Sequence, residues 1–178
     1  MILRVFAILT FVITPFYANA FEAENHIDLF QCERDLHNSP WLTPSWLSQC
    51  LEENIDVCRN AAVEAEARGE AYAYHEARLC DHVAFEQADR ILNAFYRRVI
   101  SEAQRIERYE ANAYNTGLEE LVRESQRAWL AVRDSTCELD VTFGAIGAGL
   151  ESVIAGCKAR MTMQRVGDFY YEVGDYLN

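Results

Sequence analysis

The sequence predicts an all-α protein: a long antiparallel helical hairpin with a third packed helix and a disulfide-stapled N-terminal arm of short helices. Two observations lead to this fold class. Neither glycine nor proline occurs between Gly69 and Gly117, nor from Leu118 to Phe143, and both stretches are rich in helix-favouring residues. Apolar residues recur there every three or four positions, whereas no segment shows the alternation of a strand.

Each of the three long helices is predicted to carry an apolar stripe along one face. The second helix is expected to begin at Gly117, because Thr116 and Glu119 match a capping box. The stripes contain Phe85, Ala88, Leu92, Phe95, Val99, Ala103 and Ile106; then Leu118, Leu121, Val122, Ser125, Ala128, Trp129, Val132, Thr136 and Leu139; then Leu150, Ile154, Cys157, Met161, Val166, Phe169 and Val173.

Shorter helices are predicted in the N-terminal arm. Thr43-Pro44 has the pattern of an N-cap followed by proline at the first helical position, which opens a helix through Cys50. A further short helix is expected from Ile55 to Arg68, closed by Gly69. The glycine-rich segment 143–149 is predicted to be the most flexible loop of the domain.

The first twenty residues have the pattern of a secretory signal. Arg4 supplies a positive n-region, residues 5–13 form an apolar stretch too short to span a bilayer, and Ala18-Asn19-Ala20 is a small-residue cleavage site. We expect cleavage near Ala20 and a periplasmic or secreted protein, without a lipid anchor because the first cysteine is Cys32. The predicted organisation is a signal peptide (1–20), a cysteine-containing arm (21–69) and a helical domain (70–178).

All six cysteines follow this leader, and an even number in an exported chain predicts three disulfides with fifteen possible connectivities. We expect Cys137 to pair with Cys157, because they enclose nineteen residues, a loop whose closure contributes roughly 3 kcal/mol. A metal site is disfavoured, because the chain has no CxxC and its four histidines are not spaced to complete one. The cysteines are Cys32, Cys50, Cys58, Cys80, Cys137 and Cys157.

Composition restricts the function further. With 28 Asp and Glu against 16 Lys and Arg, the formal net charge is −12, and it becomes −13 without the leader. This balance excludes non-specific nucleic-acid binding, which depends on basic residues that neutralise phosphates. No segment after the leader is apolar for long enough to predict a membrane span.

No catalytic arrangement, cofactor motif or metal site emerges from the sequence. His75-Glu76 begins like the zinc motif HExxH, but Leu79 stands where the second histidine is required. The glycines of segment 143–149 follow no predicted strand and precede no P-loop lysine. The chain is therefore predicted to be a non-enzyme without a cofactor.

One polar cluster is predicted where the two helices of the hairpin face each other. Asp89 and Asn93 lie four apart on one helix face, and a turn near residues 110–117 places Asn93 opposite Arg133. A guanidinium suits a carboxylate plus an amide, so we interpret the cluster as a polar clamp that fixes helix register. Its members are Asp89, Asn93, Gln126, Arg127, Arg133 and Asp134.

These residues belong to a longer pattern. It reads Cys80-x3-Ala84-x3-Ala88-Asp89-x2-Leu92-Asn93-x2-Tyr96 and then Leu121-x4-Gln126-Arg127-Ala128-Trp129-Leu130-x2-Arg133-Asp134-x2-Cys137, followed by the glycine-rich segment and Cys157. Over about residues 75–175 the chain resembles the LprI-type lysozyme-inhibitor domain family of small exported bacterial proteins. The resemblance implies a helical, disulfide-linked fold, inhibition of lysozyme, and a structural role for the motif, including Trp129.

Two functions are consistent with these features. The first is inhibition of a cationic lysozyme, whose association with this acidic chain would be steered by charge. Its candidate binding loop contains Phe143, Gly144, Ile146, Gly147 and Gly149. The alternative is a non-enzymatic envelope interaction or structural module that binds another envelope protein through Trp41, Trp46 and Leu47 of the arm.

Overall fold

The structure, a computed structural model, describes residues 21–39, 43, 45–109, 117–144 and 149–174. A short 3₁₀ helix (Ala23–His26) precedes α1 (Leu29–Asn38), α2 (Ser45–Ala67), α3 (Ala73–Tyr109), α4 (Leu118–Gly144) and α5 (Leu150–Val173). These ranges contain no strand, so the all-α class is confirmed. The predicted leader, Trp41, Pro44, Thr116, Ile146 and Gly147 lie outside them. None of the described helices is long and apolar enough to cross a membrane.

The arm contains one long helix where two short ones were expected. Helix α2 continues from Ser45 to Ala67, so the predicted end at Cys50 and restart at Ile55 are wrong. The reason is an uninterrupted buried face with helical spacing, which carries the helix past the polar residues Glu52 to Asn54. That face consists of Leu47, Cys50, Leu51, Ile55, Cys58, Ala62 and Ala65.

Helix α1 was not predicted, although its sequence carries the signals. The Asp28 side chain accepts a hydrogen bond from the Gln31 backbone N–H at 3.0 Å, which caps the first turn. Leu29, Cys32 and Leu36 follow at helical spacing and are buried. The helix occupies only ten residues, so the apolar face is short, and packing against the rest of the chain stabilises it.

The long helices pack in two directions around α3. Helix α4 is antiparallel to α3, because Asp89 lies near Arg133 at one end and Glu107 accepts a hydrogen bond from the Glu119 backbone N–H at the other. Helix α5 runs parallel to α3 and makes the most extensive contact with it, which includes Phe95 stacked on Phe169. The predicted hairpin with a third packed helix is thus present, and the third helix forms the larger interface.

Three disulfides connect successive helices, with no free cysteine. Cys32–Cys50 joins α1 to α2, Cys58–Cys80 joins α2 to α3, and Cys137–Cys157 joins α4 to α5 as expected from the sequence. The first two bridges sit within one continuous apolar core, to which Leu47, Leu51 and Leu92 also contribute. Leu47 is therefore buried and does not belong to an exposed aromatic cluster.

An ion pair between α2 and α3 has a buried carboxylate, Asp81, at the point where α5 passes close by, whereas its Arg59 partner is 45% exposed. Arg59 donates from Nη2 to both carboxylate oxygens of Asp81, at 3.0 and 3.1 Å. A Cβ placed on Gly156 of α5 would stand 2.8 Å from Asp81 Oδ1, so only glycine fits there without displacing the carboxylate. Burial raises the pKa of Asp81, and the charge and hydrogen bonds of Arg59 offset only part of that effect.

The expected 143–149 loop is shorter than predicted. Phe143 and Gly144 belong to the last turn of α4, because the segment preceding them contains no helix breaker. Gly149 precedes α5 with a φ of 113°, a left-handed conformation that favours glycine. A Cβ at this position would also meet the Tyr74 hydroxyl at 3.2 Å. Gly149 is thus required by the start of α5.

Candidate functional site

The predicted polar cluster forms around Asp89 of α3. Arg133 Nη1 lies 3.5 Å from Asp89 Oδ1, and Asn93 Nδ2 donates to Asp89 Oδ2 at 2.8 Å. Arg133 therefore pairs with Asp89. The sequence predicted Asn93 opposite Arg133, which is one helical turn away from the observed partner. Asn93 instead orients the carboxylate from its own helix.

The side chain of Arg133 is buried, with only 7% of its surface exposed. Its Nε donates to Asp134 Oδ1 at 3.0 Å, and its Nη1 donates to the Thr162 hydroxyl of α5 at 3.4 Å. The guanidinium also lies 5.3 Å from the ring centroids of both Phe85 and Trp129. One arginine thus connects α3, α4 and α5 through charge, hydrogen bonding and aromatic contact.

Asp134 has a second cation beside it that the sequence did not reveal. Lys158 Nζ of α5 lies 3.1 Å from Asp134 Oδ1. Burial acts to raise the pKa of Asp134, but hydrogen bonds and charges from Arg133 and Lys158 together outweigh burial and lower it. Lys158 and Thr162 lie one turn apart on α5. The sequence shows that they share a helix face, but it does not show that this face is turned towards α4.

Gln126 and Arg127 stand apart from these contacts. Gln126 is 7% exposed, and its Oε1 is buried without a hydrogen-bond partner among the described residues. Arg127 is exposed, and its Nη2 donates to Glu120 Oε1 of the same helix at 2.7 Å. The predicted cluster is therefore divided between an interhelical contact network at Arg133 and a neighbouring surface.

That neighbouring surface is a groove of about 290 Å³ between α3 and α4. Asp89 and Asn93 line it from α3, while Gln126 and Arg127 line it from α4. Tyr96 is one further turn along α3 from Asn93, a spacing that the sequence pattern contained. Four of the lining residues carry no signal in the sequence that marks them as part of a site, namely Leu92, Tyr96, Arg123 and Leu130.

Residues that could hold a metal do not assemble in the part of the chain that the structure describes. No group of three His, Cys, Asp or Glu side chains comes together there. The acidic side chains of the cluster contact Arg133, Asn93 and Lys158 instead. The arrangement is chemically suited to holding helices in register and to presenting a polar groove.

The fold and site define a small disulfide-linked helical domain in which polar side chains connect three helices. The chain belongs to the family described as Lysozyme inhibitor LprI, whose sequence profile matches residues 58–169. An uncharacterized protein of Rhizobium meliloti (strain 1021) is 32% identical over 93 residues, which cover 51% of this chain and 66% of that protein. No solved structure matches significantly.

The family match covers some of the helices and leaves others outside it. It covers α3, α4 and nearly all of α5, together with the second half of α2 from Cys58 onwards. Helix α1 and the first half of α2, with the Cys32–Cys50 bridge, precede the matched region. The family is described by inhibition and not by catalysis, which fits a protein that is not an enzyme.

Proposed function

We propose that this protein is an exported binding protein that inhibits lysozyme-type muramidases in the periplasm or outside the cell. The observation that carries the proposal is membership of the lysozyme inhibitor LprI family over residues 58–169. Three disulfides support export, because such bonds persist in oxidising compartments. The signal-peptide pattern of residues 1–20 supports the same location.

The charge distribution favours a cationic partner. Residues 21–70 contain eleven Asp and Glu against three Arg, a net charge of −8. Residues 71–178 contain seventeen against twelve, a net charge of −5 over twice the length. Two half-exposed valines on the outer face of α2, Val57 and Val63, lie among Glu53, Asp56 and Glu64. Such a surface would accelerate association with a basic protein and make it sensitive to salt.

The contact with the active-site cleft is proposed to come from residues 143–149, which begin in the last turn of α4 and end at the start of α5. Phe143, Gly144, Ile146 and Gly147 supply apolar and small residues that a substrate cleft can admit. Gly149 serves this segment by fixing the start of α5. The Cys137–Cys157 bridge ties the two flanking helices together, which limits the entropy lost when the segment binds.

A turnover assay on peptidoglycan with a basic lysozyme tests this function. We expect saturable inhibition by the disulfide-bonded protein at low salt and near physiological salt, with weaker binding at the higher salt. The variant Ile146→Asp should inhibit poorly. The matched control Leu121→Asp, at a position 61% exposed on α4, should inhibit like the parent protein.

Each other outcome has a defined meaning. Inhibition that vanishes near physiological salt would indicate non-specific charge pairing and contradict the proposal. Equal inhibition by Ile146→Asp would reject the 143–149 segment as the contact. Absence of inhibition at both salts would favour the alternative, an envelope interaction or structural module. For that alternative, Trp41 and Trp46 remain the proposed contacts, although Trp46 packs partly against the core.

A further inference from the structure

We propose that the groove between α3 and α4 binds a small carboxylate that also carries an amide or hydroxyl group. This inference is independent of lysozyme inhibition, because it rests on side chains of the groove itself. The groove contains one unsatisfied buried acceptor and two arginines, and these features call for complementary groups in a single ligand. The ligand chemistry is shared by peptides with a free carboxyl terminus and by sugar acids.

The unsatisfied acceptor is Gln126. Its side chain lines the groove, it is 7% exposed, and its Oε1 has no partner among the described residues. A buried amide oxygen without a donor is costly, and most such groups in folded proteins are paired with protein or water. An N–H or O–H brought between α3 and α4 would supply the missing donor.

The cationic side of the groove is formed by α4. Arg123 and Arg127 lie four residues apart, so both project onto one helix face, and both line the groove. Each is held by a glutamate of its own helix, Glu119 for Arg123 and Glu120 for Arg127. A guanidinium carries five donors, and the Glu120 contact uses Arg127 Nη2 alone. Arg127 can therefore bind a second carboxylate without giving up the first, whereas Arg123 already donates from both Nε and Nη2 to Glu119.

Asp89, the acidic residue that lines the groove, should repel a bound anion only weakly. Both carboxylate oxygens of Asp89 are already engaged, one by Arg133 and the other by Asn93. Tyr96 lies on the same wall and adds a hydroxyl to the donors from Arg123 and Arg127. Among the charged residues that line the groove, the two arginines outnumber Asp89, and the glutamates paired with these arginines do not line it.

The size of the groove limits the ligand. Its volume of about 290 Å³ is at the lower end of the range for small-molecule sites. It admits one monosaccharide or a dipeptide and is too small for a larger oligomer to be enclosed. Leu92 and Leu130 give it an apolar portion that suits a methyl or acetyl group.

Calorimetric titration of the disulfide-bonded protein with acetyl-alanyl-alanine tests the proposal, because this probe has amide N–H groups, methyl groups and a carboxylate. We expect saturable binding that weakens with salt, and little binding of the same dipeptide as its C-terminal amide. Glucuronic acid, titrated in parallel, distinguishes a sugar acid from a peptide as the source of the carboxylate. Tighter binding of one probe identifies the source.

Two variants connect the binding to named groups. Arg127→Ala should raise the dissociation constant by about tenfold, because one charge-assisted contact is lost. The matched control is Arg90→Ala, because Arg90 is also 61% exposed and paired with a glutamate of its own helix, but does not line the groove. Gln126→Met should abolish binding while raising the thermal midpoint of the unliganded protein, since it removes an unpaired buried oxygen.

Several results would overturn the proposal. They are no binding of either carboxylate, equal binding of the amide probe, or equal weakening by Arg127→Ala and Arg90→Ala. Retained binding in a folded Gln126→Met variant would reject Gln126 as the acceptor. If Gln126→Met fails to fold, Tyr96→Phe replaces it, with weaker binding expected and unchanged binding counting against the donor set.

Discussion

Helices α4 and α5 both pack on α3, but they are attached by different kinds of contact. Helix α5 buries ten residues, and its large ones, Met163, Val166 and Phe169, are apolar. The described side chains of α4 that are buried are Gln126, Arg133, Cys137 and Val141. Leu121, Val132 and Leu139 of α4 remain more than half exposed. Apolar burial thus dominates the attachment of α5. Helix α4 contributes less apolar area, mainly from Val122, Trp129 and Val141, and depends more on a polar network and one disulfide.

This difference separates the stable part of the fold from its adaptable part. Apolar burial is non-directional and contributes in proportion to area, so α5 and α3 form a rigid pair. Polar contacts have defined geometry and contribute modestly to net stability. Local unfolding of α4 is therefore expected to require less free energy than local unfolding of α5. Helix α4 forms one wall of the groove, and the 143–149 segment begins in its last turn.

The largest effect is expected from removing an apolar side chain of α5. Phe169→Ala should lower the free energy of unfolding by about 3–5 kcal/mol, because it leaves a cavity against Phe95. The control Leu121→Ala on α4 should change it by less than about 0.5 kcal/mol, since Leu121 is mostly exposed. Chemical denaturation measures both, and similar losses would remove the distinction between the two helices.

The second effect concerns the bridge that ties α4 to α5. Replacing Cys137 and Cys157 together by alanine should cost roughly 3 kcal/mol, given a sequence separation of 20 residues. Hydrogen exchange should show the loss of amide protection first in α4, with α5 still protected. The matched control replaces Cys32 and Cys50, whose separation is 18 residues, and should leave α4 protected. Uniform deprotection of both helices would contradict this account.

A smaller effect is expected at the proposed clamp. Arg133→Met keeps the apolar stem against Phe85 and Trp129 but removes the charge shared with Asp89 and Asp134. Because both carboxylates are more than one-third exposed and retain Asn93 and Lys158, the loss should be about 1–2 kcal/mol. Thermal unfolding checks it. A gain in stability would show that the polar network costs more than apolar packing.

The smallest expected effects have opposite signs with pH. The pKa of Asp81 is raised by burial above its ordinary 3.8, so its contribution to stability is complete below 3.8 and is lost as the pH rises through the raised folded pKa. The pKa of Asp134 is lowered from 3.8, burial being outweighed by Arg133 and Lys158, so its contribution is present above 3.8 and is lost as the pH falls through the lowered pKa.

Unfolding titrations of the parent, Asp81→Asn and Asp134→Asn between about pH 3 and 7 test this contrast. The stability of the parent relative to Asp81→Asn should decrease as the pH rises. Its stability relative to Asp134→Asn should increase. Parallel curves for the two variants would show that the environments of these carboxylates do not differ as described.

The sequence was most informative where a helix buries one face along its whole length. The stripe through Phe85, Leu92, Phe95 and Val99 predicted α3, and Gly117 predicted the start of α4 one residue from its observed position. The two short helices of the arm were misjudged because Glu52 and Glu53 interrupt the apolar pattern between buried positions. Local polarity there reflects the solvent-facing side of a single helix.

The candidate site was predictable only within each helix. Spacing placed Asp89 beside Asn93 and Arg133 beside Asp134, because neighbours on one helix follow from its period. The contributions of Thr162 and Lys158 depend on how α5 packs on α4. The crossing angle between two helices cannot be derived from the spacing of residues in a single sequence. The groove could not be predicted for the same reason, since it depends on how α3 and α4 pack against each other.

Gly156 has a consequence for how this sequence can change over generations. Any larger residue at 156 collides with the Asp81 carboxylate, while Asp81 can be replaced by a smaller residue without a collision at Gly156. A smaller residue at position 81 is therefore expected to make a side chain at position 156 easier to accommodate, because the Asp81 carboxylate held by Arg59 would otherwise have to move. Homologous chains with a side chain at the equivalent of 156 should carry a smaller residue at the equivalent of 81, and chains with Asp81 should retain glycine.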